Sequence, residues 1–108
     1  MACTGAPTTT AAPYYYLAVR QCSDWDGDGA LTDRYVRSTT DIRNWTHVSI
    51  PRYYGDTGAI YEAYGNQSQS SMEASYASPP SGSDTSIDLD TYAGPKGFTV
   101  AQLQKTSC

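Results

Sequence analysis

The chain has 108 residues, a formal net charge of −4 and a mean hydropathy of −0.53. A chain of this length has room for one small domain. Its acidic balance lacks the basic patches typical of nucleic-acid-binding proteins. No apolar stretch is long enough for a membrane-spanning helix. We therefore expect neither nucleic acid nor membrane as a partner.

Aliphatic side chains are scarce, whereas tyrosine is abundant. Leu, Ile, Val and Phe together account for 13 of the 108 residues, but the chain also contains ten Tyr and two Trp. Tyrosine buries its ring while its hydroxyl keeps a polar partner, so it suits thin cores and protein interfaces. We expect the chain to complete its burial against other structural protein subunits, in a homo- or hetero-oligomeric assembly.

The first predicted elements are an arm and a strand. Residues 1–13 carry two prolines and no hydrophobic period, which predicts an extended N-terminal arm. Residues 14–20 are aromatic and β-branched, which predicts a strand. Alternation along that strand directs one set of side chains to each face of the sheet, with Tyr15, Leu17 and Val19 on one face and Tyr14, Tyr16 and Ala18 on the other.

An acidic stretch follows this strand. Asp24, Asp26 and Asp28 occupy alternate positions, and Gly29 comes where a loop would turn sharply. Ca²⁺ takes several oxygen ligands, and alternate residues of a curled loop point at a common centre. The alternative interpretation is an acidic, glycine-rich turn between two strands that needs no metal.

This stretch resembles the loop of EF-hand and dockerin proteins, D-x-D-x-D-G-x-hydrophobic, with Leu31 at the hydrophobic position. The sequence departs from the pattern at the twelfth position, where Tyr35 replaces the bidentate glutamate. Asp33, or a residue from elsewhere in the chain, would have to complete the ligand shell. The resemblance implies Ca²⁺ as the cofactor, held by Asp24, Asp26, Asp28 and Asp33.

Short apolar segments separated by turn residues predict a β-rich core. Residues 41–45 predict one helical turn capped by Thr40 or Asp41. Val48 and Ile50 alternate with polar residues and should face the core. The simplest architecture is a small all-β fold, an antiparallel β-meander that closes into a barrel or sandwich. The predicted strands are residues 14–20, 34–39, 46–50 and 59–64.

The remainder of the chain divides into two parts. Residues 67–84 are rich in Ser, Pro and Gly and predict a linker or surface loop. Residues 98–103 predict a final strand, with a short helix as the alternative. The chain therefore divides into an arm (1–13), a β-rich core (14–66), a Ser/Pro/Gly-rich loop (67–84) and a C-terminal extension (85–108) that completes the fold or contacts partners.

A wider resemblance covers residues 14–64. It rests on Tyr14–Leu17 leading to Cys22, on Tyr35–Val36 with Ser38–Asp41, and on Val48–Ile50 with Ile60–Tyr61. These segments resemble small β-rich modules of tailed-bacteriophage structural proteins. The resemblance implies a virion protein, such as a capsid decoration protein or a neck or tail accessory, that binds and stabilises neighbouring subunits.

The expected localisation of the protein follows from that resemblance and from the N-terminal sequence. No secretory signal pattern is present at the N-terminus, so we expect synthesis in the host cytoplasm followed by incorporation into the virion. Two alternatives stay open, a subunit of an extracellular filament and a calcium-dependent carbohydrate-binding module.

The tyrosines are the predicted interface: Tyr14, Tyr15, Tyr16, Tyr53, Tyr54, Tyr61 and Tyr64. Interfaces are enriched in tyrosine, and the low aliphatic content favours this use. The alternative is that Tyr53, Tyr54, Tyr61 and Tyr64 stack on carbohydrate together with the rings of Trp25 and Trp45.

The sequence offers little for catalysis. His47 is the single histidine, and no second group forms a nucleophile–base pair with it in any recognisable pattern, so we predict that the protein is not an enzyme. Cys3, Cys22 and Cys108 lack metal-site spacing. We expect reduced thiols, with a Cys3–Cys108 or an intermolecular bridge as alternatives.

Overall fold

The structure is a computed structural model, which describes residues 13–22, 31–79 and 86–108. These residues form a single six-stranded mixed sheet with two short helices, so the largely β character is confirmed. Most of the predicted arm, residues 1–12, lies outside the described residues. The elements are β1 (Tyr15–Gln21), β2 (Asp33–Ser38), β3 (His47–Ile50), β4 (Ala59–Ala63), α1 (Gln69–Ala77), β5 (Ser86–Asp88), α2 (Leu89–Tyr92), two 3₁₀ turns (Gly94–Lys96 and Ala101–Leu103) and β6 (Gln104–Lys105).

The strand order corrects the predicted antiparallel meander. The sheet runs β5-β2-β1-β4-β3-β6. β1 and β2 are antiparallel neighbours, as are β3 and β4, but β4 returns to pair with β1. β5 pairs in parallel with β2. A parallel pair requires a long crossover connection, which here is the chain that includes β3, β4 and α1.

Both faces of the sheet carry buried side chains, and the alternation predicted for β1 is confirmed. Leu17 and Val19 belong to the larger core, whereas Tyr16 and Ala18 face the smaller one. The larger core also contains Val36, Ile42, Trp45, Val48, Ile50, Tyr61, Ile87, Leu89, Ala93 and Leu103. The smaller core is completed by Tyr35 from β2 and Met72 from α1.

The predicted loop over residues 67–84 contains a helix. Residues 69–77 form α1, which begins at Ser68, where the side-chain oxygen accepts a hydrogen bond from the Ser71 N–H. Met72 is the one buried residue of this helix. A polar cap and a single buried residue create no hydrophobic period in the sequence, so the helix was not predicted.

Two short turns complete the larger core. The predicted turn at residues 41–45 is confirmed, with the Arg43 N–H donating to Asp41 Oδ1 at 3.1 Å and the Trp45 N–H donating to the Ile42 carbonyl at 3.1 Å. Near the C-terminus the helical alternative is the correct one, because Ala101–Leu103 form a 3₁₀ turn that buries Leu103.

A disulfide joins Cys22 to Cys108, across 86 positions of sequence. The expectation of reduced thiols, and the alternative Cys3–Cys108 bridge, were therefore wrong. Cys22 follows β1 and Cys108 follows β6, and three cysteines without metal-site spacing give no information about which pair the sheet will bring together. Among the described residues, no helix has the length and apolar character that a membrane span requires.

Candidate functional site

The loop between β3 and β4 presents the most exposed aromatic side chains of the described structure. We call residues 51–58 the aromatic loop. Its Tyr53 and Tyr54 side chains are 62% and 76% exposed. Large aromatic side chains that remain in solvent on a folded domain commonly mark a binding surface. The aromatic loop is therefore the first candidate for a partner site.

A buried carboxylate holds the backbone of this loop. Asp56 accepts hydrogen bonds from the Arg52 backbone N–H at 2.9 Å and from the Arg52 Nε at 2.9 Å. Its own N–H donates to the Tyr53 carbonyl at 3.0 Å. Hydrogen bonds from the Arg52 side chain, followed by that from its backbone, hold the pKa of Asp56 well below its usual range. The carboxylate thus stays charged and closes the loop around the two tyrosines.

The C-terminal segment contacts the aromatic loop through Tyr92, Lys96 and Gly97. The Gly55 N–H donates to the Lys96 carbonyl at 2.9 Å, and the Tyr92 hydroxyl donates to the Pro51 carbonyl. The Tyr54 ring lies directly against Gly97, where an added Cβ would come within 3.0 Å of the ring atom Cε2. Tyr54 consequently rests one part of its ring on the protein and exposes the rest.

Two of the predicted interface tyrosines are instead buried within the fold. Tyr16 is 6% exposed and Tyr61 is 4% exposed. The Tyr61 hydroxyl accepts a hydrogen bond from Arg34 Nε at 3.0 Å, which gives this buried polar atom a partner. These two rings stabilise the fold and have little surface left for a neighbouring subunit.

Three other predicted tyrosines lie beneath arginine side chains. Arg37 lies 3.9 Å from the ring centre of Tyr14, Arg43 lies 4.7 Å from that of Tyr15, and Arg20 lies 4.5 Å from that of Tyr64. Such cation–π contacts use one face of each ring within the chain. Arg52 also lies 5.8 Å from the ring centre of Tyr53, but Tyr53 and Tyr54 are still the most exposed of the seven predicted positions.

The predicted calcium site is only partly described. Asp24, Asp26 and Asp28 lie outside the described residues, as does Trp25. Asp33 is in β2, where Arg20 Nε lies 2.6 Å from its Oδ1, and the Tyr64 hydroxyl donates to its Oδ2 at 3.2 Å.

Both carboxylate oxygens of Asp33 are thus engaged. Hydrogen bonding from Arg20 lowers the pKa of Asp33, and burial raises the pKa of Tyr64 to about 12, so Tyr64 remains a donor. A metal ion at Asp33 would have to share these oxygens with Arg20 and Tyr64. The Ca²⁺ site at Asp24, Asp26, Asp28 and Asp33 stays a prediction.

The structure also brings together three residues that sequence reasoning kept apart. Sγ of Cys22, Sγ of Cys108 and a ring nitrogen of His47 lie within 4.8 Å of one another. The His47 side chain is 12% exposed. Positions 22, 47 and 108 do not match the spacing of a metal-binding motif. Their proximity becomes apparent only once the strand order is known.

Comparison with protein-family models, curated proteins and solved structures finds no match to this chain. The resemblance to tailed-bacteriophage modules therefore stays a prediction.

Proposed function

We propose that this protein is a structural subunit of a large assembly and that it binds a neighbouring protein subunit through the aromatic loop. The observation that supports this most directly is the exposure of Tyr53 and Tyr54 on a loop held by the Arg52–Asp56 pair. Tyrosine and arginine are the residues that most often dominate interface energetics. A loop already fixed in shape loses little conformational entropy on binding.

The composition and the disulfide support the same proposal. The small supply of aliphatic side chains favours burial that is completed by a partner. Disulfides persist in oxidising surroundings, including virion and cell surfaces. The Cys22–Cys108 bond therefore suits a protein that works outside the reducing cytoplasm, on a virion or in an extracellular filament.

Between a virion and an extracellular filament we favour the virion, because of the resemblance across residues 14–64. The protein would be a capsid decoration protein or a neck or tail accessory. In this proposal the arm over residues 1–13 extends across a neighbouring subunit while the sheet provides a rigid body. The protein acts by binding, and we assign it no catalytic role.

The proposal is tested by rebinding. Particles from the source organism are stripped of this protein and then incubated with the wild-type chain or with a Tyr53→Ala/Tyr54→Ala variant, and binding is measured by cosedimentation. We expect the double variant to bind at least about tenfold more weakly, since one well-packed interface aromatic contributes roughly 2 kcal/mol. Glu73→Ala is the control, because Glu73 is exposed on α1, outside the aromatic loop and the predicted interface.

Equal binding by the double variant would remove the aromatic loop from the interface. Sedimentation velocity on the isolated protein then separates the two assembly types. A monomer or small oligomer that rebinds particles supports the accessory role. Spontaneous growth into long polymers replaces it with the filament alternative.

A carbohydrate-binding module is the second candidate, and the exposed ring of Tyr54 is the observation that favours it. Aromatic rings supported on a rigid loop are suited to stacking on sugars. A glycan array probed with wild-type protein and with Tyr54→Ala distinguishes this case. Calcium-dependent binding to a glycan that the variant loses would favour the carbohydrate module, whereas a blank array leaves the assembly proposal in place.

Calcium belongs to this proposal as a cofactor that orders the first hairpin. Three carboxylates at Asp24, Asp26 and Asp28 repel one another unless a cation neutralises them, so removing Ca²⁺ should loosen the connection between β1 and β2. We expect EDTA to lower the melting temperature and to accelerate amide exchange in residues 22–36. Unchanged melting and exchange would exclude a functional calcium site.

A further inference from the structure

Three side chains with the donor atoms that zinc prefers meet on one side of the sheet. The sulfur atoms of Cys22 and Cys108 and a ring nitrogen of His47 lie within 4.8 Å of one another. These residues come from the end of β1, the start of β3 and the tail after β6. The strand order β1-β4-β3-β6 holds all three segments in one region. The two sulfurs are joined as a disulfide, so the described arrangement is the oxidised form.

We propose that Cys22, Cys108 and His47 form a redox-gated zinc site, which binds Zn²⁺ after a dithiol reductant has opened the Cys22–Cys108 bond. The dithiol gives two electrons and two protons to the disulfide and becomes a disulfide itself, so that Cys22 and Cys108 become thiols. Zn²⁺ then replaces one proton on each thiol, and both protons pass to solvent. His47 supplies a neutral imidazole nitrogen as the third ligand.

The geometry requires only a small rearrangement. Zn²⁺ binds thiolates at about 2.3 Å and imidazole at about 2.0–2.1 Å in a tetrahedron, which places its ligand atoms about 3.5–3.8 Å apart. The His47 nitrogen lies within 4.8 Å of both sulfurs, so it must move by about 1 Å at most to reach that separation. The sulfurs must move apart once their bond is broken. Cys108 allows this, because it is exposed and lies three residues beyond β6.

Neighbouring residues orient the site. Glu62 is the cross-strand partner of His47, and its Oε2 lies 3.6 Å from His47 Nε2. Water supplies the fourth ligand, as in zinc sites with three protein ligands. Thr46 Oγ1 lies 2.9 Å from His47 Nδ1 and fixes the orientation of the ring. Partners of this outer kind commonly hold metal-binding histidines. The two thiolates favour Zn²⁺ over Ca²⁺, which prefers oxygen ligands.

The site is accessible to both reactants. A cavity of about 490 Å³ is bordered by Cys22 and Cys108, together with Gln21 and Ile60. A small dithiol can approach the disulfide through this opening, and a hydrated cation can follow. In a reducing compartment Zn²⁺ would hold the tail after β6 against the end of β1, as the disulfide does under oxidising conditions.

The test uses the full chain in a Cys3→Ser background, so that the third cysteine contributes no thiol. One sample is kept oxidised, and the other is reduced with dithiothreitol, which is then removed by gel filtration under anaerobic conditions. Each is titrated with Zn²⁺ against a chromophoric chelator. Co²⁺ is used as a spectroscopic probe, because thiolate coordination produces a sulfur-to-cobalt charge-transfer absorption.

We expect one Zn²⁺ per reduced chain, a thiolate signature with Co²⁺, and a rise in melting temperature on metal addition. The oxidised chain retains His47 and every carboxylate, so cation held by the acidic residues would appear equally in both samples. His47→Ala should weaken Zn²⁺ binding at least about tenfold, because even outer partners of a metal ligand contribute roughly 10–100-fold. Glu73→Ala, on the exposed side of α1, is the matched control and should leave the affinity unchanged.

Three results would overturn the proposal. They are equal Zn²⁺ binding by the oxidised and reduced chains, equal affinity of His47→Ala and wild type in the reduced state, and a reduced chain that unfolds and takes up no Zn²⁺.

Discussion

Asp56 and Asp41 form similar ion pairs in different environments. Asp56 bonds to Arg52 with its side chain 5% exposed, whereas Asp41 bonds to Arg43 with its side chain 43% exposed. Water competes strongly for the second pair and weakly for the first. The same chemistry should therefore matter more in the aromatic loop than in the turn at residues 41–45.

We predict that Asp56→Asn destabilises the protein more than Asp41→Asn. The asparagine at position 56 keeps the size of the side chain but removes the charge that Arg52 binds. Chemical unfolding monitored by tryptophan fluorescence measures the difference in stability. Amide exchange at Arg52, whose N–H donates to Asp56, should accelerate in the Asp56 variant alone. Equal effects of the two substitutions would show that burial of the pair is unimportant.

The same two groups predict a pH dependence. The pKa of Asp41 is lowered to about 2 by its hydrogen bonds with Arg43, and the pKa of Asp56 lies still further below its ordinary value. A carboxyl whose pKa is lower in the folded chain stabilises the fold above the unfolded value of 3.8 and loses that contribution as the pH falls. We expect the melting temperature to fall as the pH is lowered from 4 toward 2, and to fall less in Asp56→Asn. A melting temperature independent of pH in this range would contradict the lowered pKa values of Asp41 and Asp56.

Position 58 requires glycine because the backbone of Ile50 lies close to it. Its φ is +78°, and an added Cβ would lie 2.7 Å from the carbonyl carbon of Ile50, where backbone cannot move aside. Gly55 has a similar φ of +75° but open space around it. We predict that Gly58→Ala costs about 3 kcal/mol or more, against about 1 kcal/mol for Gly55→Ala, which introduces only the backbone strain. Denaturant unfolding of both variants measures this contrast, and equal costs would exclude the contact with Ile50.

At the scale of elements, α1 does more than cover the smaller core. The Tyr16 backbone groups point toward the β4 side of β1, but β4 pairs with β1 only at Val19, Arg20 and Gln21. Gln69, in the first turn of α1, fills this position. Its Nε2 donates to the Tyr16 carbonyl and its Oε1 accepts from the Tyr16 N–H, both at 2.8 Å. One side-chain amide thus replaces the missing strand neighbour.

We predict that Gln69→Ala destabilises the protein by about 2 kcal/mol, because it leaves two partly buried backbone groups without protein partners. Glu73→Ala is the control on the same helix, since Glu73 is exposed, and its effect should stay within about 0.5 kcal/mol. Denaturant unfolding gives both values. Amide exchange at Tyr16 should rise in the Gln69 variant. If the two substitutions cost the same, the contact with Tyr16 contributes nothing.

Four of the six strands were predictable, because their signal is local. Alternation of aromatic and β-branched residues located β1 to β4 within one or two positions of their observed bounds. The helix α1 was not predictable in this way. Its sequence, QSSMEASYA, contains one residue that becomes buried, and its role depends on Gln69 reaching a strand 53 positions earlier. The exposed pair Tyr53–Tyr54 was predicted as part of the interface set, but the burial of Tyr16 and Tyr61 depends on pairings that no local pattern encodes.

At the scale of the whole molecule, one row of paired residues crosses five of the six strands. Arg20 is paired with Asp33 on one side and with Glu62 on the other, and Glu62 is paired with His47, which is paired with Lys105. Acidic and basic positions thus alternate from β2 to β3, where opposite charges on neighbouring strands favour this register, and the row ends in two basic residues, His47 and Lys105. The residues are scattered from position 20 to position 105, so the row becomes visible only when the strand order is known.

The Cys22–Cys108 bond links the end of β1 to the tail after β6, and so fastens the short strand β6 to the interior of the sheet. A cross-link over 86 positions removes conformational freedom from the unfolded chain, which corresponds to about 4–5 kcal/mol in the loop-entropy model. A protein of this size is typically stable by about 5–15 kcal/mol in total. The bond therefore supplies a substantial share of the stability.

We predict that Cys108→Ser lowers the free energy of unfolding by about 4 kcal/mol, whereas Cys3→Ser leaves it unchanged. Guanidinium unfolding under oxidising conditions, with a chelator present to exclude metal, measures both. Amide exchange should rise first at β6 and its partner β3, because β6 has two residues and depends on the bond to stay in place. Equal stability of the Cys108 and Cys3 variants would show that the six-stranded sheet holds its last strand without the cross-link, and that its edge is fixed by Leu103 and the larger core.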